Sequence, residues 1–162
     1  MLTRRDGLRV MIAALLFGTT IAGRQLWAQN SDQANLPRLA LKGYDPVAFF
    51  TEGRPTLGKA EFEYTWDEAR YRFASDQHMS MFRGDPDRYA PQYAGSCAMG
   101  MSKGVKVEAN PENWLISDGR LFVFAPSNGP ARFQADRQGI AAAADTNWER
   151  LKDAPIGTVI PQ

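Results

Sequence analysis

Two hairpin signals limit what this chain can fold into. Ala60 to Trp66 alternates, with Phe62, Tyr64 and Trp66 on one face, and Tyr71-Arg72-Phe73 follows across a short turn at Asp67 to Ala69. Further on, Trp114-Leu115-Ile116 and Leu121-Phe122-Val123-Phe124 flank Ser117-Asp118-Gly119-Arg120. Asp-Gly in that setting turns one strand back on the next. Ribbons of this kind need a partner for their apolar face. The last element supplies one: Ile140, Ala144, Trp148 and Leu151 fall on one face at helical spacing, which predicts a helix from about Asp136 to Lys152. The expected class is α+β, a small antiparallel sheet with short helices on one side and a C-terminal helix.

The shorter elements are read from their punctuation. Gly43-Tyr44-Asp45-Pro46 is a turn signal, and Val47 to Phe50 reads as a strand. Glu52 to Lys59 holds Gly53, Pro55 and Gly58 and reads as a loop. Ser75 is placed to cap a helix over Asp76 to Arg83 that stops at Gly84. Asp85 caps a second short helix with Pro86 in its first position, ending near Tyr89. Tyr93 to Gly104 is a Gly-punctuated loop or short helix carrying Cys97, and Val105 and Val107 alternate as a strand. No internal repeat or low-complexity segment stands out.

Residues 1–28 read as an export signal: a basic start, an apolar run from Val10 to Gly18, and Leu26-Trp27-Ala28 before the expected cut. Arg4-Arg5 with Leu8 and Arg9 fits the twin-arginine type. Gly7 stands where that pattern usually has Phe, which keeps Sec export as the alternative. The apolar run is too short for a comfortable membrane span. The expected location is therefore periplasmic or secreted, with no stable membrane span after cleavage. Residues 29–38 are a flexible lead-in, 39–152 the domain, and 153–162 a tail. Removing residues 1–28 takes four Arg and one Asp from the 19 basic and 18 acidic side chains, leaving a net charge of about −2. That balance argues against a nucleic-acid partner.

The only His, the only Cys and four of the six Met lie between His78 and Met101, as His78-Met79-Ser80-Met81 and Cys97-Ala98-Met99-Gly100-Met101. Imidazole, thiolate and thioether together suit Cu(I). If 76–83 is helical, His78 and Met81 share a face. If 97–101 is extended, Cys97, Met99 and Met101 project to one side. The expected metal site is His78, Cys97, Met99, Met101 and Met81, with copper as the cofactor. One His and one Cys make only half a zinc site. Cys97 is also readable as a buried small hydrophobe or a reactive thiol, and the Met residues as core fillers. Other catalytic patterns are missing: there is no Gly-x-Ser-x-Gly elbow and no phosphate-binding Gly-rich loop. Glu61, Glu63, Asp67 and Glu68 read as a solvated strand edge and turn, and Asp45 as a turn residue before Pro46.

Gly43-Tyr44-Asp45-Pro46-Val47-Ala48-Phe49-Phe50 resembles the opening of exported YHS-domain proteins. Tyr71-Arg72-Phe73-Ala74-Ser75, Phe82, Asp85-Pro86 and Tyr89 resemble that domain's core signature. Pro91 to Ala98, Trp114 and Asp118-Gly119-Arg120-Leu121 extend the likeness over roughly residues 39–125, and Ala144-Asp145-x-x-Trp148 fits the exported branch. The wider family includes metal-associated modules often joined to heavy-metal-transporting ATPases. Their three Cys positions fall here on Ala48, Ala74 and His78, so one donor survives as an imidazole. Taken with the His, Cys and Met donors, the resemblance leads to the expectation of a periplasmic protein that binds a transition metal, Cu(I) first, for sequestration or delivery; a metal-transport or redox protein is the expected partner class. Two other readings stand beside it: a non-catalytic partner- or ligand-binding module using the Cys97 loop, and a thiol redox role for Cys97.

Overall fold

The computed structural model describes residues 36–67 and 69–161. The predicted export signal, almost all of the lead-in and Glu68 lie outside the described residues. The architecture below is that of the compact unit spanning residues 37–162.

The class is α+β, with six α-helices, two short 3-10 turns and two small sheets among the described residues. β1 (Arg38–Leu39) pairs parallel with β3 (Ala69–Phe73), which pairs antiparallel with β2 (Lys59–Trp66). β4 (Asn110–Ser117) and β5 (Arg120–Phe124) make the second sheet, the predicted Asp-Gly hairpin. The helices are α1 (Ala48–Thr51), α2 (Asp76–Gly84), α3 (Pro86–Tyr89), α4 (Ala98–Ser102), α5 (Gly129–Ala135) and α6 (Arg137–Leu151). The helices with readable caps begin where the caps are. Ser75, Asp85 and Asp136 accept the N–H of His78, Arg88 and Gly139, three residues on in each case. Val47 to Phe50 is not a strand: it runs into α1. Val105 makes only an isolated bridge, to Val159, which ties the supposed tail back onto 104–106 through Lys106 N–H to Thr158 O and Gly157 N–H to Lys106 O.

The two hairpins belong to two copies of one unit, although the sequence displays no repeat. Leu41, Lys42 and Gly43 are left-handed in succession (φ 49°, 52° and 87°), and so are Tyr93, Ala94 and Gly95 (φ 56°, 48° and 76°). The offset is 52 residues (43 to 95). Only glycine takes the third position without strain. Next, Asp45 N–H donates to Thr56 O at 2.8 Å and Cys97 N–H to Val107 O at 2.9 Å. A short helix follows each, α1 and α4. Each hairpin then has the same bulge: Lys59 faces Phe73 but Glu63 faces Arg72, and Asn110 faces Phe124 but Trp114 faces Val123. The offset there is 51 residues (73 to 124). The turn residues Asp67 and Asp118 are both left-handed, at φ 46° and 51°. A parallel contact repeats as well, Leu39 with Arg70 and Pro91 with Leu121.

Two apolar clusters fill the interior. One packs Tyr71, Phe73 and Phe82 under Tyr64 and Trp66. The larger one gathers Leu121 to Phe124, Phe133, Ala144 and Leu151 with Cys97, Met99 and Met101. Leu41 and Phe49 of the first copy belong to that larger cluster, so the copies share a core.

Candidate functional site

The first copy places a wholly buried carboxylate beside the only imidazole. Asp45 is 0% exposed. Its Oδ1 accepts the N–H groups of Val47 (2.8 Å) and Ala48 (3.4 Å) at the entry to α1. Its Oδ2 accepts Ala74 N–H at 2.8 Å, just past β3. The same oxygen lies 2.6 Å from His78 Nδ1. Burial of a carboxylate is costly unless donors surround it, and four surround this one. The contact fixes the tautomer. An acceptor-only carboxylate needs a proton on Nδ1, so the neutral ring keeps its lone pair on Nε2.

His78 is held from two directions. Ser75 caps α2 through His78 N–H, which sets the backbone, and Asp45 sets the ring. Nε2 then lies 3.4 Å from Thr51 Oγ1, at the exposed end of α1. That hydroxyl has a single hydrogen, and its shorter contact is with Val47 O at 3.1 Å. The Nε2 lone pair is therefore left available. Met81 lies three residues further along α2, at the spacing that shares a face with His78.

Cys97 occupies in the second copy the place Asp45 holds in the first (45 to 97). It is 2% exposed, and its Sγ accepts the N–H of Ala125 at 3.1 Å and of Gly100 at 3.5 Å. Ala125 is the counterpart of Ala74, the donor to Asp45 (74 to 125). The thiol thus does the scaffolding work that the carboxylate does in the other copy. His78 has no such counterpart, for the equivalent position (78 to 129) is Gly129.

The predicted donors fall into two groups. Met81, with Met79, packs against the smaller apolar cluster, while Cys97, Met99 and Met101 lie in the larger one. Residues 98–102 are helical rather than extended, because Cys97 caps α4 and lets Gly100 N–H bond its sulfur. Met99 and Met101 are then about 200° apart around the helix rather than on one side. Among the described residues, no three His, Cys, Asp or Glu side chains converge to hold a metal ion. Sequence reasoning missed Asp45 and Thr51. Both sit among apolar or turn-forming neighbours, and only tertiary contacts bring them to His78.

No family model, curated protein or solved structure matches this chain.

Proposed function

We propose that the chain is an exported YHS-type module that takes up a transition metal, Cu(I) first, at His78 Nε2, for sequestration or delivery. The observation that carries this reading is the 2.6 Å contact between the buried Asp45 carboxylate and His78 Nδ1. Metal-binding imidazoles commonly donate their other N–H to a carboxylate, which fixes the ring and strengthens its free nitrogen as a ligand. The donor chemistry fits copper in part. His78 offers an oriented nitrogen, and the Met81 thioether is the softest donor on the same helix face. Cys97 fits poorly as a ligand, since its sulfur already accepts two backbone N–H bonds inside the core. Met99 and Met101, 8% and 0% exposed, serve as packing. A metal held by so few donors of one chain suits hand-over to a metal-transport or redox partner that completes its coordination.

Anaerobic titration of the reduced mature protein, residues 29–162, with Cu(I) against a competing chelator tests the reading. One ion is expected to bind. Affinity should be lost in His78→Ala and weakened by roughly 10- to 100-fold in Asp45→Asn, the usual effect of losing a ligand's carboxylate partner. Cys97→Ser should bind as the parent does. Failure to compete with the chelator, or loss of binding in Cys97→Ser with none in His78→Ala, sinks the proposal.

A further inference from the structure

A second candidate site lies where the C-terminal helix ends. A cavity of about 610 Å³ opens there, with Arg38, Lys106, Lys152 and Trp148 among the residues that line it. The volume falls within the usual range for small-molecule sites. Lys106 is only 7% exposed, which is rare for a lysine. Its ammonium donates to Leu151 O (3.0 Å), Lys152 O (2.6 Å) and Ala154 O (2.8 Å), carbonyls at and just beyond the end of α6. It also lies 5.1 Å from the centre of the Trp148 ring.

Those contacts satisfy the ammonium protons, and none of them is to a carboxylate. Among the described residues, neither Lys106 nor Arg38 forms an ion pair. One arm of Arg38 donates to Ala94 O in the left-handed turn. A guanidinium has five N–H groups, so most of its donors are not spent on that bond. The two cations repel each other. Burial first, and then Arg38, depress the Lys106 ammonium, while Asp153 opposes them. Asp67 and Asp153 also border the cavity, so three cations face two carboxylates. Lys152 shares its charge with Glu149 at 3.3 Å, an exposed pair of little strength. The remaining wall is apolar, with Ala69, Pro155 and Ile156 beside Trp148.

We propose that this cavity binds a small organic carboxylate, its charge met by Arg38 and Lys152 over the buried Lys106 and its apolar body set against Trp148 and Ile156. Guanidinium geometry matches a carboxylate with two parallel N–H bonds. The indole and aliphatic wall selects an organic anion over an inorganic one.

The probe is benzoate, titrated into the mature protein while NMR follows the indole N–H of Trp148 and the Nε–H of Arg38. Benzoate should move both signals saturably. Benzamide, neutral and of the same shape, and inorganic phosphate, charged but without the ring, should each bind at least about tenfold more weakly. Arg38→Gln should weaken benzoate by about tenfold or more, the loss expected for a charged hydrogen-bonding partner, with the rest of the spectrum unchanged. Lys152→Gln, at an exposed position, gives a second reading if Arg38→Gln disturbs the fold, and should weaken binding several-fold. His78→Ala should bind benzoate as the parent does. No response to benzoate, equal affinity for benzamide or for phosphate, or indifference to both charge-removing variants overturns the proposal.

Discussion

Asp45 holds two backbone segments and one side chain with four donors to its two oxygens. Its removal leaves those donors in a place water does not reach. Asp45→Ala is expected to destabilise the domain by about 2–4 kcal/mol, read from urea unfolding, because unsatisfied buried groups cost more than the mean hydrogen bond. Cys97→Ala should cost less, about 1–2 kcal/mol, since sulfur is a weak acceptor and a small cavity is the main penalty. Equal losses at the two positions would deny that one is a polar anchor and the other chiefly a packed cap. The pair also shows what the sequence hides at this scale. His78 stands out as the only imidazole in the chain. Asp45 looks like any Asp before Pro, and its burial depends on β3 arriving from 29 residues away.

At the level of the element, the two hairpins share a register but face different surroundings. Glu63 opposite Arg72 is a polar position, while its counterpart is Trp114 opposite Val123. Glu63 is no loose edge carboxylate: Oε2 accepts Arg72 Nε at 2.9 Å and Oε1 accepts Arg70 Nη1 at 3.1 Å. Burial alone would raise this carboxyl, but the hydrogen bonds and charges of Arg72 and Arg70 outweigh it and hold the group below its ordinary 4.5. The sign follows from linkage. The contribution to stability is present above that ordinary value and is lost as pH falls through the lower folded one. Unfolding free energy measured from pH 6 down to pH 2 (about the acid range of carboxyl titration) should decline less steeply in Glu63→Gln than in the parent; parallel curves would contradict the assignment. The hairpins, α2, α3 and α6 were legible because alternation, caps and helical spacing are local signals. α1 was not. Four apolar residues from Val47 to Phe50 carry no period, and their N–H partner is the side chain of Asp45 rather than a cap next to them.

As a whole molecule, the domain is two similar units whose larger apolar cluster draws on both. Phe49 of the first copy meets Trp114 of the second with ring centres 5.1 Å apart, and Leu41 joins the larger core. The C-terminal segment is bound back at 104–106, and Lys106 closes the end of α6. Unfolding is therefore expected to be a single transition. Tryptophan fluorescence, far-UV circular dichroism and the labelling of Cys97 by a thiol reagent should give one midpoint, and an earlier midpoint for any of them would mean that a copy opens alone. The repeat escaped sequence reading because little of it is chemical identity. Gly43 and Gly95, Asp67 and Asp118, Phe73 and Phe124, and Ala74 and Ala125 match, but what is shared is mostly left-handed backbone and strand register, which many side chains satisfy. Doubling a unit also changes what its parts are free to become. With one cap position held by a thiol inside the core, the other holds a carboxylate that orients an imidazole. Halves that share a backbone can in this way hold different side-chain chemistry without any change of scaffold.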